Sequence, residues 1–132
     1  SAAASKQQTL TLSTPEAPAT IDGDHDLLTT ALRNLIDNAL RYTPEQGIIT
    51  VGIEAGDGDV LLSVSDNGPG VPAEELPRLI ERFYRGREAS AEGSGLGLAI
   101  VRRIAELHGA RLEIANVEGG GFSATLRWTA AR

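Results

Sequence analysis

The chain has 132 residues and a formal net charge of −6, with 41% hydrophobic and 23% charged residues, two histidines and no cysteine. Length and balance describe a single globular domain, and the acidic charge disfavours a surface built to neutralise nucleic-acid phosphates. The missing cysteines exclude disulfides, thiolate catalysis and cysteine-based metal sites, and no apolar run approaches the ~20 residues of a membrane span.

Residues 1–8 lack apolar periodicity and read as a disordered tail or linker, with the folded domain expected over 9–132. Thr9–Ser13 alternates as a half-buried strand, and Ala19–Ile21 reads as a second short strand, the two forming an edge hairpin. From Asp24, a good N-cap, apolar residues at Leu27, Leu28, Ala31, Leu32, Leu35, Ile36, Ala39 and Leu40 recur at helical spacing until Thr43-Pro44 ends the run. Ile48–Glu54 and Val60–Ser65 read as a hairpin joined at Gly56-Asp57-Gly58-Asp59. Pro72–Glu81 predicts a short helix interrupted at Pro77, residues 84–94 a mobile surface segment with little to bury, and Leu96–Leu107 a second strong helix closed by Gly109. Arg111–Asn116 and Phe122–Trp128 are strands joined by a Gly119-Gly120-Gly121 turn. Hairpins mixed with helices predict an α/β two-layer sandwich, its mostly antiparallel sheet covered on one face by three helices.

Three groups of residues carry chemical interest. Asn34 and Asn38, four apart, lie about 40° from each other on one helix face. They suit either helix-to-loop hydrogen bonding or, through a neutral carboxamide oxygen, a Mg²⁺ ion that keeps most of its waters and bridges to phosphates. Asp66-Asn67-Gly68-Pro69-Gly70 ends a strand in an acid and two glycines. It reads as a simple turn, or as a carboxylate that accepts from an exocyclic amine while bare backbone admits a flat ring such as adenine. Gly93-Ser94-Gly95-Leu96-Gly97-Leu98 opens a helix, where unpaired N–H groups make an anion site. No P-loop lysine is available for that task, because Lys6 is the sole lysine among the twelve basic residues. Taken together, the three groups address the metal, base and phosphates of one ligand, Mg·ATP. His25 reads as a surface residue and His108 as a helix C-terminal residue complementing the dipole.

The same segments resemble the motifs of bacterial sensor histidine kinases: Asn34–Pro44 is similar to the N box, Asp66–Gly70 to the G1 box, Glu81–Arg85 to the F box and Gly93–Leu98 to the G2 box. The resemblance covers residues 9 to 128 and implies the Bergerat sandwich of the catalytic and ATP-binding domain, with ATP and Mg²⁺ as ligands. It implies that Asn38 holds Mg²⁺, that Asn34 lies beside the phosphates, and that Arg41 and Tyr42 reach toward them. Arg41 stands where lysine is common in the family. Asp66 would bind the adenine amine in a pocket lined by Gly68 and Gly70. Phe83 would anchor an ATP lid over 84–94, with Arg85 on the γ-phosphate. Gly93, Gly95 and Gly97 would hinge the lid and, with Leu96 and Leu98, present backbone N–H groups. Asn34, Asn38 and Arg41 are then the catalytic candidates.

Related ATPases and serine kinases place a glutamate base where this chain has Asn34, and an amide does not take a proton from water or serine. The resemblance therefore implies transfer of the γ-phosphoryl group to a histidine on a separate dimerisation domain, then to a response regulator. Neither His25 nor His108 sits in a phosphoacceptor motif. The implied setting is a cytoplasmic domain of an inner-membrane receptor, monomeric when isolated, without nucleic-acid or direct membrane contact. A nucleotide-binding regulatory module and an ATPase of the wider family are the alternatives.

Overall fold

The computed structural model describes residues 8–14, 21–56, 58–79 and 97–129. Helix α1, His25–Tyr42, forms where the apolar stripe predicts it, and Asp24 caps it by accepting the Leu27 N–H at 2.9 Å. Its buried row is Ala31, Leu35 and Ala39. The helix stops at Thr43, whose N–H closes the last turn on the Ala39 carbonyl before Pro44, which has no N–H to continue it. Gln8, read from sequence as part of the tail, is buried and donates its amide to the Leu40 and Thr43 carbonyls at 3.2 and 2.8 Å. It thus satisfies carbonyls that a helix end leaves unpaired.

Five strands form one sheet in the order β1-β2-β3-β5-β4: β1 Thr9–Ser13, β2 Ile48–Gly56, β3 Asp59–Asp66, β4 Arg111–Asn116 and β5 Phe122–Trp128. The predicted edge hairpin lies largely outside the described residues, and no hairpin partner of β1 is present among the described ones. β1 instead pairs parallel to β2, Leu10 opposite Ile49, and Ile21 lies in no strand, while residues 19 and 20 fall outside the described residues. Parallel neighbours need a long crossover, and α1 provides it; strand alternation says nothing about which partner a strand takes. The other three pairings are antiparallel. The β2–β3 hairpin turns at Gly58 with φ +84°.

The register places Val51, Val64, Ala124 and Ile114 in one row across four strands, and Leu62, Leu126 and Leu112 in the next, all joined in the core beneath the helices. The opposite face carries Thr50, Ser65 and Ser123, then Gly52, Ser63 and Thr125. The two-layer sandwich stands, with a polar outer sheet face. Helix α2, Gly97–Leu107, buries Leu98, Val101, Ile104 and Ala105. Gly109, at φ +68°, ends it, with the Ala110 N–H returning to the Ala105 carbonyl at 2.8 Å. The third expected helix is a 3₁₀ segment, Ala73–Arg78, containing Pro77 and followed by the buried Leu79.

The two α-helices run antiparallel. His108, beyond the end of α2, donates Nδ1–H to the Ile104 carbonyl at 2.8 Å and accepts the Asp24 N–H on Nε2 at 2.9 Å. It therefore staples the foot of α1 to α2, which a dipole reading of the sequence does not reveal. Gly23 admits the ring, since a Cβ there would lie 2.7 Å from His108 Cδ2. His25 is a surface residue, its side chain 92% exposed beside Asp26.

Leu126→Ala, at a fully buried position, is expected to lower stability by about 2–5 kcal/mol in urea unfolding. Leu12→Ala, on the outer strand where the residue is 70% exposed, is expected to shift it by no more than about 0.5 kcal/mol.

Candidate nucleotide-binding site

β3 ends in a buried acid. A carboxylate taken out of water must be hydrogen-bonded, and Asp66 Oδ1 accepts the Gly68 N–H at 2.9 Å and the Phe122 N–H at 3.3 Å. Asn67 extends the ladder past it: its N–H donates to the Ile48 carbonyl at 3.2 Å, and its Oδ1 accepts the Ile48 N–H at 2.8 Å. That side chain mimics a backbone partner, and the chain is free to turn beyond it. Gly70 takes φ +75° in the turn. A Cβ on Gly70 would lie 2.7 Å from Asn116 Oδ1 and 3.0 Å from the Gly121 carbonyl. The glycine expected to admit a ligand ring thus admits the Asn116 carboxamide on that side.

The turn between β4 and β5 is part of the site, although its glycines read as a plain hairpin connection. Gly121, at φ +115°, lies so close under the Asp66 carbonyl that no Cβ fits between them, and Gly120 approaches the Gly68 carbonyl. The turn is held by the Val117 N–H on the Gly121 carbonyl at 2.9 Å. Three successive glycines exceed what a hairpin turn requires, and that excess is the one sequence signal that could have pointed here.

The second half of the site lies on α1. Asn34 and Asn38 are half-buried beside the apolar stripe, and Arg41 is exposed in the last turn. Asn34 donates its amide to the Thr30 carbonyl at 2.9 Å, so part of its capacity serves its own helix. Gly97, the first residue of α2, faces it: a Cβ on Gly97 would lie 3.6 Å from Asn34 Oδ1. The opening turn of α2, with N–H groups that have no acceptor within the helix, therefore stands over the asparagine face of α1. Leu98 is 7% exposed in the core, which leaves its backbone N–H as the group it can offer a ligand.

The acid-bearing loop adjoins the same helix through Gly47. A Cβ there would strike Thr43, just past the end of α1, and come within 3.3 Å of Asn67 Oδ1. The end of β3 and the C-terminal end of α1 are thus neighbours. Of the other expected site residues, Tyr42 closes α1, while Phe83, Arg85, Gly93, Gly95, Leu96 and the 84–94 segment lie outside the described residues. Among the described residues no three His, Asp or Glu side chains could together hold a metal. A carboxamide with no carboxylate cage fits a cation that arrives on phosphates and keeps its waters, as Mg²⁺ does.

Comparison with known proteins shows which family the chain resembles in sequence and fold. The profile of the family described as histidine kinase-, DNA gyrase B-, and HSP90-like ATPase matches residues 23–132. The sensor protein QseC of Escherichia coli K12 is 50% identical over 102 residues, covering 77% of this chain and 22% of QseC. The chain therefore spans about a fifth of that relative's length. The structure of the mycobacterial sensor histidine kinase MprB superposes with a TM-score of 0.82 at 30% identity, covering 96% of this chain and 86% of that one. Full-length ShkA in complex with AMPPNP superposes equally well, TM-score 0.82 at 31% identity, covering 99% of this chain and 28% of ShkA.

Gly121→Ala and Gly119→Ala both place a side chain at positive φ, but only the first drives it into the Asp66 carbonyl; a Cβ at Gly119 meets nothing within 4 Å. Gly121→Ala is expected to lose about 1–3 kcal/mol more than Gly119→Ala in chemical denaturation.

Proposed function

The chain belongs to the histidine kinase-, DNA gyrase B-, and HSP90-like ATPase family, and on that premise we propose that it is the ATP-binding catalytic domain of a two-component sensor histidine kinase. Its activity is transfer of the γ-phosphoryl group of ATP to a histidine on a separate dimerisation domain, from which a response regulator receives it. The observation that carries this reading is the nearness of Gly97 to Asn34, whose Oδ1 would lie 3.6 Å from a Cβ on the glycine; it brings the start of α2 to the asparagine face of α1 and supports a phosphate site without lysine.

Each part of the ligand has a candidate partner. Asp66 accepts the adenine amine, and the first-turn N–H groups of α2 take phosphate oxygens. Asn38 is the residue that would hold Mg²⁺, which supplies charge neutralisation on the phosphates. Arg41, in the last turn of α1, is a further candidate for the phosphate chain, and Tyr42, Arg85, Gly93, Gly95 and Leu96 are candidates on the sequence resemblance. AMPPNP bound to ShkA supports a nucleoside triphosphate as ligand. In the transfer, a lone pair on the acceptor imidazole forms the new N–P bond while the bond from the γ-phosphorus to the β,γ-bridging oxygen breaks and ADP leaves. The chain's residues position and neutralise, and the nucleophile comes from outside.

Asn34 argues against hydrolysis, because an amide supplies no general base for water. Among the described residues no helix is long and apolar enough to cross a membrane. The proposed setting is the cytoplasmic side of a membrane receptor whose other segments make the membrane contact.

Asn38→Ala is expected to weaken Mg²⁺-dependent binding of a non-hydrolysable ATP analogue by about tenfold or more, with an unchanged circular dichroism spectrum. Titration calorimetry with and without Mg²⁺ checks it. Mixed with γ-labelled ATP, Mg²⁺ and the cognate dimerisation domain, the chain is expected to label the acceptor histidine. ATP turnover by the chain alone is expected to fall far below about 1 s⁻¹; turnover at that rate would show that Asn34 had been misread.

A further inference from the structure

We propose that Asn116, at the end of β4, is a positioning residue for recognition of the nucleotide base, setting the selectivity of the Asp66 loop for a purine that carries an exocyclic amine. The inference rests on the reading of Asp66 as the base-binding acid.

Asn116 belongs to none of the motifs that single out the site in the sequence. In the fold its carboxamide pairs with the peptide groups of Val71 across 45 residues: Oδ1 accepts the Val71 N–H at 2.9 Å and Nδ2 donates to the Val71 carbonyl at 2.7 Å. Both groups of one residue are engaged by one side chain, as in a β-bridge, and the reversed amide would set donor against donor and acceptor against acceptor. The loop from Asp66 to Val71 is thereby pinned at both ends by carboxamides, Asn67 on Ile48 and Asn116 on Val71. Gly70 must lack a side chain for the second pin to reach, since its Cβ would lie 2.7 Å from Asn116 Oδ1.

The position of this pin gives it a role beyond holding the sheet. β4 and the turn after it contact the loop from the side away from β2, and the same turn places Gly121 under the Asp66 carbonyl and Phe122 N–H on Asp66 Oδ1. Without Asn116, the stretch from Gly68 to Val71 keeps its tie at Asn67 but loses the one at its far end. A hydrogen bond to a base edge weakens steeply with a few tenths of an ångström and a few tens of degrees, whereas the phosphate and metal candidates stand on α1 and α2, outside the stretch that Asn116 pins. Selectivity between bases should therefore fall more than affinity for the triphosphate.

The test measures binding of ATP and of ITP, which lacks the exocyclic amine, to the 132-residue chain with Mg²⁺, alongside thermal unfolding. The unaltered chain is expected to prefer ATP by about tenfold or more, and Asn116→Ala to bring the ratio most of the way to one. Asn116→Asp, which keeps the acceptor for the Val71 N–H and loses the donor, is expected to fall between them, and it decides the matter if Asn116→Ala does not fold. Leu112→Ala, on the same strand but under the core, is expected to lower the unfolding temperature and leave the ratio intact, which separates positioning from mere stability. Should the unaltered chain show no preference, or Asp66→Ala leave it unchanged, the reading of Asp66 falls and this inference with it. Should that preference depend on Asp66 yet survive both Asn116 variants, the role of Asn116 alone is overturned.

Discussion

A carboxylate buried at the end of a central strand is the constraint around which this molecule is arranged. Asp66 lies on the core side of β3, in a row whose neighbours are apolar, and is 6% exposed. Burial of that kind is tolerated only with directed donors, and Oδ1 accepts backbone N–H groups from Gly68 and Phe122. The loop after β3 must therefore fold back on the acid, and β5 must begin beside it. That requirement explains why Gly121 has no side chain, why Gly70 leaves space for Asn116, and why Asn67 supplies in place of backbone the next rung of the ladder.

A second arrangement fixes the other half of the site. Two approaches mark how the antiparallel helices are aligned, the hydrogen bond of Asp24 with His108 and the nearness of Gly97 to Asn34. Ten residues along α1 and eleven along α2 separate these two approaches, so at about 1.5 Å per residue the two spans nearly match. The staple at the foot of the pair thus holds the opening turn of α2 level with the asparagines. At the other end of α1, Gln8 binds the last carbonyls, and Gly47 brings the helix end to the Asp66 loop. A single helix consequently carries the metal and phosphate candidates while adjoining both the Asp66 loop and the start of α2.

Much was legible from residues alone because local physics dictated it. The cap at Asp24, the stop at Thr43-Pro44, the apolar stripe of α1 and the glycine end of α2 are each decided within a few residues, and each stands in the structure. Asn34, Asn38, Asp66 and Gly97 could be named as one set because amide, acid and bare helix start are distinct chemistries with distinct spacing. What escaped notice depended on partners far along the chain. The parallel pairing of β1 with β2 escaped notice because alternation reveals a strand and not its neighbour, and Gln8 looked like tail because one amide has no pattern. Asn116 and Gly121 looked like the ends of an ordinary hairpin because their contacts lie with Val71 and Asp66, some fifty residues upstream.

The residues by themselves therefore determined which chemistry the domain can offer and where its helices and strands begin, since capping, periodicity and donor type act over one or two turns. Only the tertiary structure decided which glycines make room for protein rather than ligand, which strand lies at the sheet's edge beside β2, and which asparagine pairs with a peptide 45 residues away. Those outcomes depend on distances between segments, set by how β5 and β4 come to lie against β3, and no local pattern encodes them.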